Sequence, residues 1–316
     1  MRRDWDRSAS FVCAAIAAAA FVVLLPPAGL AAAQRLTCVG RVATIVGTNH
    51  SNHIKGTPHR DVIVANEGND AIAGGGGADV ICGGPGHDVI TSGAGDDRLV
   101  GGGGDDRIKA KRGNDLIVGD DVSLAGSAIA ATGSDTIGGA GGADLVIGDN
   151  YGVAAKGGSH DDLRGTAGRD RVIGDSAAIG GGTAQGGAPD HVTGAGGHDL
   201  VIGDSFSPRG LAIGGGSDHL AGGPKGDEMV GDSFTRAGVA RGSGNDHLNG
   251  LTGSDALYGD NRAAKPTGRT IDGGRDLLTG GPGDDHLHGG PEPDNCAGGP
   301  GRDSARRCGG FVIGVP

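Results

Sequence analysis

The sequence predicts an all-β chain, a parallel β-roll or β-helix solenoid, and three observations carry that prediction. A nine-residue unit, G-G-x-G-x-D-x-U-x with U a bulky aliphatic, recurs along the chain, and its Asp keeps register through seven unbroken copies: Asp61, Asp70, Asp79, Asp88, Asp97, Asp106 and Asp115. Each unit opens on a glycine cluster, as in Gly74-Gly75-Gly76-Gly77-Ala78-Asp79. Glycine reaches positive φ without a Cβ clash, so a tight turn falls in every unit. The x-U-x triplet that follows, such as Val62-Ile63-Val64 or Arg98-Leu99-Val100, suits one short strand whose middle side chain points inward.

One unit cannot fold alone. Ordering its backbone costs on the order of 9–18 kcal/mol, and burying one Ile or Leu returns about 1.5–3 kcal/mol. Stacking supplies the rest: two units make one coil, successive strands pair into parallel sheets on two faces, and the inward aliphatics form a ladder.

Taken in order, residues 1–33 read as an export signal. Arg2, Arg3 and Arg7 precede an apolar run from Ala9 to Leu25, and Ala31-Ala32-Ala33 offers a cleavage site. The run is short for a membrane span and is followed by Pro26-Pro27, so no span is expected in the mature chain. Loss of three Arg and two Asp takes the net charge from −11 to −12. Residues 34–55 read as an amino-terminal cap containing one decayed unit, with Asn52 in the Asp position and Ile54 in the core position. Residues 56–118 hold the uninterrupted units.

From 119 to 275 the units come in pairs: Asp135 with Asp144, Asp161 with Asp170, Asp190 with Asp199, Asp218 with Asp227, and Asp246 with Asp255. An insertion opening on Gly-Asp follows each pair, at Gly148-Asp149, Gly174-Asp175, Gly203-Asp204, Gly231-Asp232 and Gly259-Asp260, and a first one stands at Gly119-Asp120. Because insertions come once per coil, they leave one edge and stack as a lateral ridge. Their Asp reads either as a further cation ligand or as a turn former. Residues 276–316 return to simple repeats at Asp276, Asp285, Asp294 and Asp303, then close.

Without the signal four cysteines remain, Cys38, Cys82, Cys296 and Cys308. An even number in an exported chain favours disulfides. Of the three pairings, Cys38 with Cys82 and Cys296 with Cys308 puts one staple at each end, where a solenoid needs caps.

The Asp column selects the ligand. With two units per coil, Asp61, Asp79, Asp97 and Asp115 stack on one edge and Asp70, Asp88 and Asp106 on the other. Carboxylates one rung apart, roughly 4.8 Å, repel by about 3–4 kcal/mol per pair at an effective dielectric near 20. A hard cation held by Asp oxygens and turn carbonyls reverses that sign, and an all-oxygen shell suits Ca²⁺ better than Mg²⁺ or Zn²⁺.

These residues resemble the RTX, or hemolysin-type, calcium-binding nonapeptide repeat, and the likeness covers nearly everything from Gly47 to Arg306. The resemblance implies a β-roll with Ca²⁺ in its turns, the first six residues of each unit forming the turn and every sixth-position Asp named above acting as a ligand. The N-terminal signal departs from the C-terminal export signal of many members. Turns in which Ser159, Ala188, Lys225 or Glu292 replaces a glycine are expected to bind more weakly.

Other function classes fit poorly. With 70 glycines, 3% aromatic residues and a net charge of −11 the chain lacks the basic patch that nucleic acid requires. Gly203-Asp204-Ser205-Phe206 and Gly231-Asp232-Ser233-Phe234 resemble the nucleophile block of GDSL-type esterases. Sister coils, however, put Asp121, Asn150 and Asn261 in the serine slot, and no Asp-x-x-His block or βαβ pattern accompanies it. His191, His219 and His247 recur once per coil and read as a solvated strand face, as do His50, His53 and His59. A sugar-processing solenoid would show aromatic platforms, and the mature chain has only Phe206, Phe234, Phe311, Tyr151 and Tyr258. The sequence therefore reads as a secreted, calcium-binding structural or adhesive protein, not an enzyme, with a cell-surface or matrix partner for the ridge. The alternative is a polysaccharide-acting enzyme or carbohydrate-binding module on the same solenoid.

Overall fold

The computed structural model describes residues 36–124, 132–265 and 268–312. The expected export signal lies outside these. From Arg35 onward the chain forms one unit, and its described residues contain strands and turns without helix.

Each x-U-x triplet is a strand, among them Val62–Val64, Val80–Cys82, Arg98–Val100 and Arg107–Lys109. Alternation explains the burial: in Arg107–Lys109 only Ile108 faces inward, at 1% exposure, while its neighbours are exposed. Successive units alternate between two twelve-stranded parallel sheets, here called sheets I and II. In sheet II, Ile63 lies on Ile81, Ile81 on Leu99, and Leu99 on Ile117. In sheet I, Ile72 lies on Ile90 and Ile90 on Ile108. The two aliphatic stacks meet in one narrow core that runs to Leu278, Leu287 and Cys296.

The paired region keeps this ladder although the chain step per coil lengthens. Ile117 lies on Val146, Val146 on Val172, Val172 on Val201 and Val201 on Met229. The extra residues leave one edge in every coil, as the once-per-coil spacing requires. They are not simple loops. They form a third parallel sheet, with strands such as Ala177–Gln185, Leu211–Ile213 and Val239–Arg241. Ala184, Ala212 and Ala240 stack in register and are wholly buried. This sheet folds back on the outer face of sheet II. There Val118, Ile147, Ile173, Ile202 and Val230 pack against Tyr151, Ala177, Phe206 and Phe234 in a second core.

Both ends are closed further out than the repeat pattern suggests. Ile45 pairs with Ile63, so the stack starts one unit before Gly47. The signal was a lone Ile one repeat before Ile54. At the other end Phe311 pairs with Cys296. Disulfides join Cys38 to Cys82 and Cys296 to Cys308, with Cys296 in the inward U position of its rung.

Candidate metal centre

The sixth-position aspartates form two continuous files. On one edge run Asp61, Asp79, Asp97, Asp115, Asp144, Asp170, Asp199, Asp227, Asp255, Asp285 and Asp303. On the other run Asp70, Asp88, Asp106, Asp135, Asp161, Asp190, Asp218, Asp246, Asp276 and Asp294, with Asn52 on the first rung. The insertions do not break either file. In each, the backbone N–H of one Asp donates to Oδ1 of the Asp one coil on, at 2.7 to 3.0 Å. Apart from Asp303 every member is buried, none more than 6% exposed.

Oδ2 is different. From Asp70 to Asp303 it is buried and accepts no hydrogen bond, whereas Asp61 Oδ2 accepts from the N–H and hydroxyl of Thr57. A buried carboxylate oxygen without a donor costs on the order of several kcal/mol unless a proton or a cation meets it. The repulsion inferred from the sequence is therefore partly answered, since a backbone N–H already holds one oxygen of each carboxylate. The unanswered charge is on the other oxygen.

The glycines explain where that oxygen sits. A Cβ on Gly83 would lie 2.1 Å from Asp88 Oδ2, and one on Gly101 would lie 2.1 Å from Asp106 Oδ2. The first glycine of a unit therefore leaves room for the carboxylate of its own unit. The second and fourth positions serve the turn: Gly84 and Gly86 have φ of 112° and 150°. Their carbonyls point along the stack, 2.2 and 2.3 Å from where a Cβ on Gly102 or Gly104 would stand.

Burial pushes these carboxyls up, and the N–H bond to Oδ1 pulls each part of the way back. Asp79 and Asp88 rise to about 6, Asp115 to about 7, Asp135 to about 8, and Asp106 and Asp161 to about 9, with neighbouring carboxylates adding to the rise. Among the described residues no basic side chain forms an ion pair with them. Arg262 pairs with Glu228 and the His87 ring lies against Asp105, and none of these four belongs to either file. The donor set is oxygen alone, because the four cysteines are tied in disulfides. Repeated buried carboxylate oxygens beside turn carbonyls fit a hard cation of the Ca²⁺ type.

The structure adds a third file that the sequence left undecided. Asp120, Asp149, Asp175, Asp204, Asp232 and Asp260 are all buried, at 0 to 5% exposure. Some of their oxygens do turn work: Asp204, Asp232 and Asp260 accept from the N–H of Gly216, Gly244 and Gly274 at 2.9, 2.8 and 2.6 Å, and Asp149 accepts from the Ser159 hydroxyl. One carboxylate oxygen of each of Asp260, Asp276 and Asp294 lies within 4.8 Å of the other two.

Among the replaced glycines, Lys225 stands at φ 88° and its charge acts on Asp199, one coil back, rather than on its own unit. Ser205 and Ser233 are wholly buried, which removes them from reach of an ester substrate. His191, His219 and His247 stand in register on an exposed strand face with ring centroids 5.0 and 5.6 Å apart, and His160, in the turn before the preceding strand, meets His191 edge-on at 5.5 Å.

A parallel roll whose turns carry files of buried carboxylates defines a class, the calcium-binding β-rolls. The RTX calcium-binding nonapeptide repeat matches this chain at residues 46–81, 55–90, 83–117, 157–178, 242–261 and 270–305. The chain belongs to that family and is a calcium-binding repeat protein. The unmatched stretches lie mostly where insertions interrupt the frame, and the ladder continues through them. No curated protein matches the chain.

Proposed function

We propose that this chain is an exported calcium-binding structural or adhesive protein whose roll forms on binding Ca²⁺ outside the cell. The observation that carries the reading is the row of buried, unanswered Oδ2 atoms along both files. The sixth-position aspartates, with the carbonyls of their turns, are the ligands. When bound, Ca²⁺ supplies the positive charge that lets these carboxylates stay ionised inside the stack. Because the sites exist only in the folded roll, binding free energy is folding free energy. Site affinities of extracellular modules are about 10⁻⁴ to 10⁻³ M, so the chain stays extended where Ca²⁺ is scarce and orders where it is plentiful.

Residues 1–33 act as the export signal in this reading. The rest divides into a cap at 34–55, plain repeats at 56–118, ridge-bearing coils at 119–275 and a stapled end at 276–316. Among the described residues no helix is long and apolar enough to cross a membrane. The ridge is the surface offered to a cell-surface or matrix partner.

Titrating the metal-stripped chain with Ca²⁺ under far-ultraviolet circular dichroism, with Mg²⁺ as control, tests this. A transition from coil to β specific to Ca²⁺ is expected, and a chain fully β in chelator would refute coupled folding.

A second reading, a carbohydrate-binding module or polysaccharide-acting enzyme, draws on one observation. A groove between the ridge and sheet II is lined by Arg169, Arg171, Arg236, Arg262 and Lys265, interleaved with Asp115, Asp144, Asp170, Asp199, Asp227 and Glu228. Retention on acidic polysaccharide that survives chelation would favour it over calcium-dependent adhesion.

A further inference from the structure

The insertions do not follow a finished turn; they split one. A Cβ on Gly119 would lie 2.0 Å from Asp135 Oδ2, the same relation that Gly101 has to Asp106. Gly119 is therefore the first residue of the turn that Asp135 closes, and the insertion separates it from the rest. Gly174 with Asp190 and Gly259 with Asp276 repeat the pattern at 2.3 and 2.2 Å. Such a turn loses the contiguous run of carbonyls that an unbroken unit offers. In their place it gains a buried carboxylate from the residue after the glycine.

We propose that each split turn is a second kind of divalent-cation site, built on a pair of carboxylates: the Asp of the Gly-Asp dipeptide and the sixth-position Asp that closes the same turn. Asp120 with Asp135, Asp175 with Asp190, and Asp260 with Asp276 are such pairs. An oxygen of Asp260 lies within 4.8 Å of one of Asp276; burial, then neighbouring carboxylates, push Asp120 and Asp175 up, with Asp149 ahead of Asp135 at the first and Asp190 foremost at the second. Both oxygens of Asp120 and of Asp175 are buried and accept from no backbone N–H or hydroxyl; the polar side chain beside each is another carboxylate, Asp149. Turn formation alone leaves that unexplained, since a turn-forming Asp spends its oxygens on backbone N–H groups.

A separate observation points to a ligand. The hydroxyls of Ser176, Ser205 and Ser233, one residue after the dipeptide, are wholly buried and without a partner. Asn261 occupies the same slot one coil after Ser233, and its amide donates to Asp232 Oδ2 at 3.3 Å. At Asn261 the slot thus reaches the dipeptide carboxylate of the preceding coil, whereas Asn150 in the same slot donates to the Lys156 carbonyl and leaves both Asp120 oxygens bare. Where Asn261 fills it, that oxygen is answered by protein; where serine fills it, a smaller oxygen donor stands beside a bare carboxylate. Oxygen ligands without a protein cation are what a hard divalent ion requires.

The proposal rests on the calcium reading only for the choice of ion, and equilibrium dialysis of the full chain against ⁴⁵Ca²⁺ separates the two. Asp175→Asn with Asp204→Asn removes charge from split turns while an amide oxygen can still accept from Gly216. Asp199→Asn with Asp227→Asn does the same in unbroken turns. The split-turn variant is expected to lose one ion per substituted residue. If it keeps every ion while the unbroken-turn variant loses its own, the second kind of site is refuted and the calcium reading stands; an unaltered chain that binds no Ca²⁺ refutes both. Should the split-turn variant fail to fold, anomalous scattering from Tb³⁺ in crystals of the unaltered chain decides, since an ion between Asp175 and Asp190 upholds the site and its absence, with ions in unbroken turns, overturns it.

Discussion

A buried carboxylate that has given one oxygen to a backbone N–H and kept the other bare can be satisfied by a proton or by a cation, and the two compete. The folded carboxyls of Asp79, Asp115 and Asp106 stand at about 6, 7 and 9, against 3.8 in the open chain. Because the folded values are raised, the stability they give the calcium-free roll is fully present below about pH 4. It is lost as pH climbs through 6 to 9. In chelator, the β signal is therefore expected to be stronger at pH 5 than at pH 9; an equal or reversed signal would count against the buried files. With Ca²⁺ present the same protons must leave, so the midpoint calcium concentration rises on acidification, by about tenfold per pH unit for each proton displaced per ion. A separate residue-scale strain sits at Leu251, at φ 71° and 42% exposed. Leu251→Gly is expected to stabilise the calcium-loaded roll by about 1 kcal/mol, read as a higher midpoint in thermal unfolding. Cα geometry of this kind was invisible beforehand, since a Leu in a glycine position looks like simple decay of the repeat.

Within a turn, the first glycine matters for space and the second for conformation. Gly83→Ala places a methyl 2.1 Å from Asp88 Oδ2 and 2.6 Å from the Gly101 carbonyl. The carboxylate has to move, and loss of about 1–3 kcal/mol with loss of calcium at that rung is expected; unchanged calcium stoichiometry would show that the oxygen is not a ligand. The repeat made all of these glycines legible but not their different duties, which depend on what the next coil brings against them. The ridge teaches the same lesson. The inward positions of its strands are alanines where the roll has bulky aliphatics, and Ala184, Ala212 and Ala240 read as filler until stacking sets them one above another. At the capped end, the Cys38–Cys82 link spans 44 residues, and replacing both by Ser is expected to cost about 2–4 kcal/mol in denaturant unfolding.

Across the whole molecule each coil touches only its neighbours, so damage is expected to stay local. Asp97→Ala removes the acceptor that Asp79 N–H uses at 2.8 Å. Hydrogen exchange should rise in the strands Val80–Cys82 and Leu116–Val118 and remain unchanged at Ala256–Tyr258; loss of protection throughout would mean the roll folds as one cooperative block. What the sequence determined by itself is the period, and with it the parallel roll, the two Asp files, the inward aliphatic of every rung and the edge from which the insertions leave. A period survives translation along the chain, so it can be read without coordinates. Tertiary structure decided what happens between coils: that one Asp oxygen is taken by a backbone N–H and the other is left bare, that the insertions split turns and build a third sheet, and that a third file of carboxylates lies buried beside the second. Those outcomes depend on which atoms of residues 18 to 30 positions apart come within bonding distance, and stacking alone brings them there.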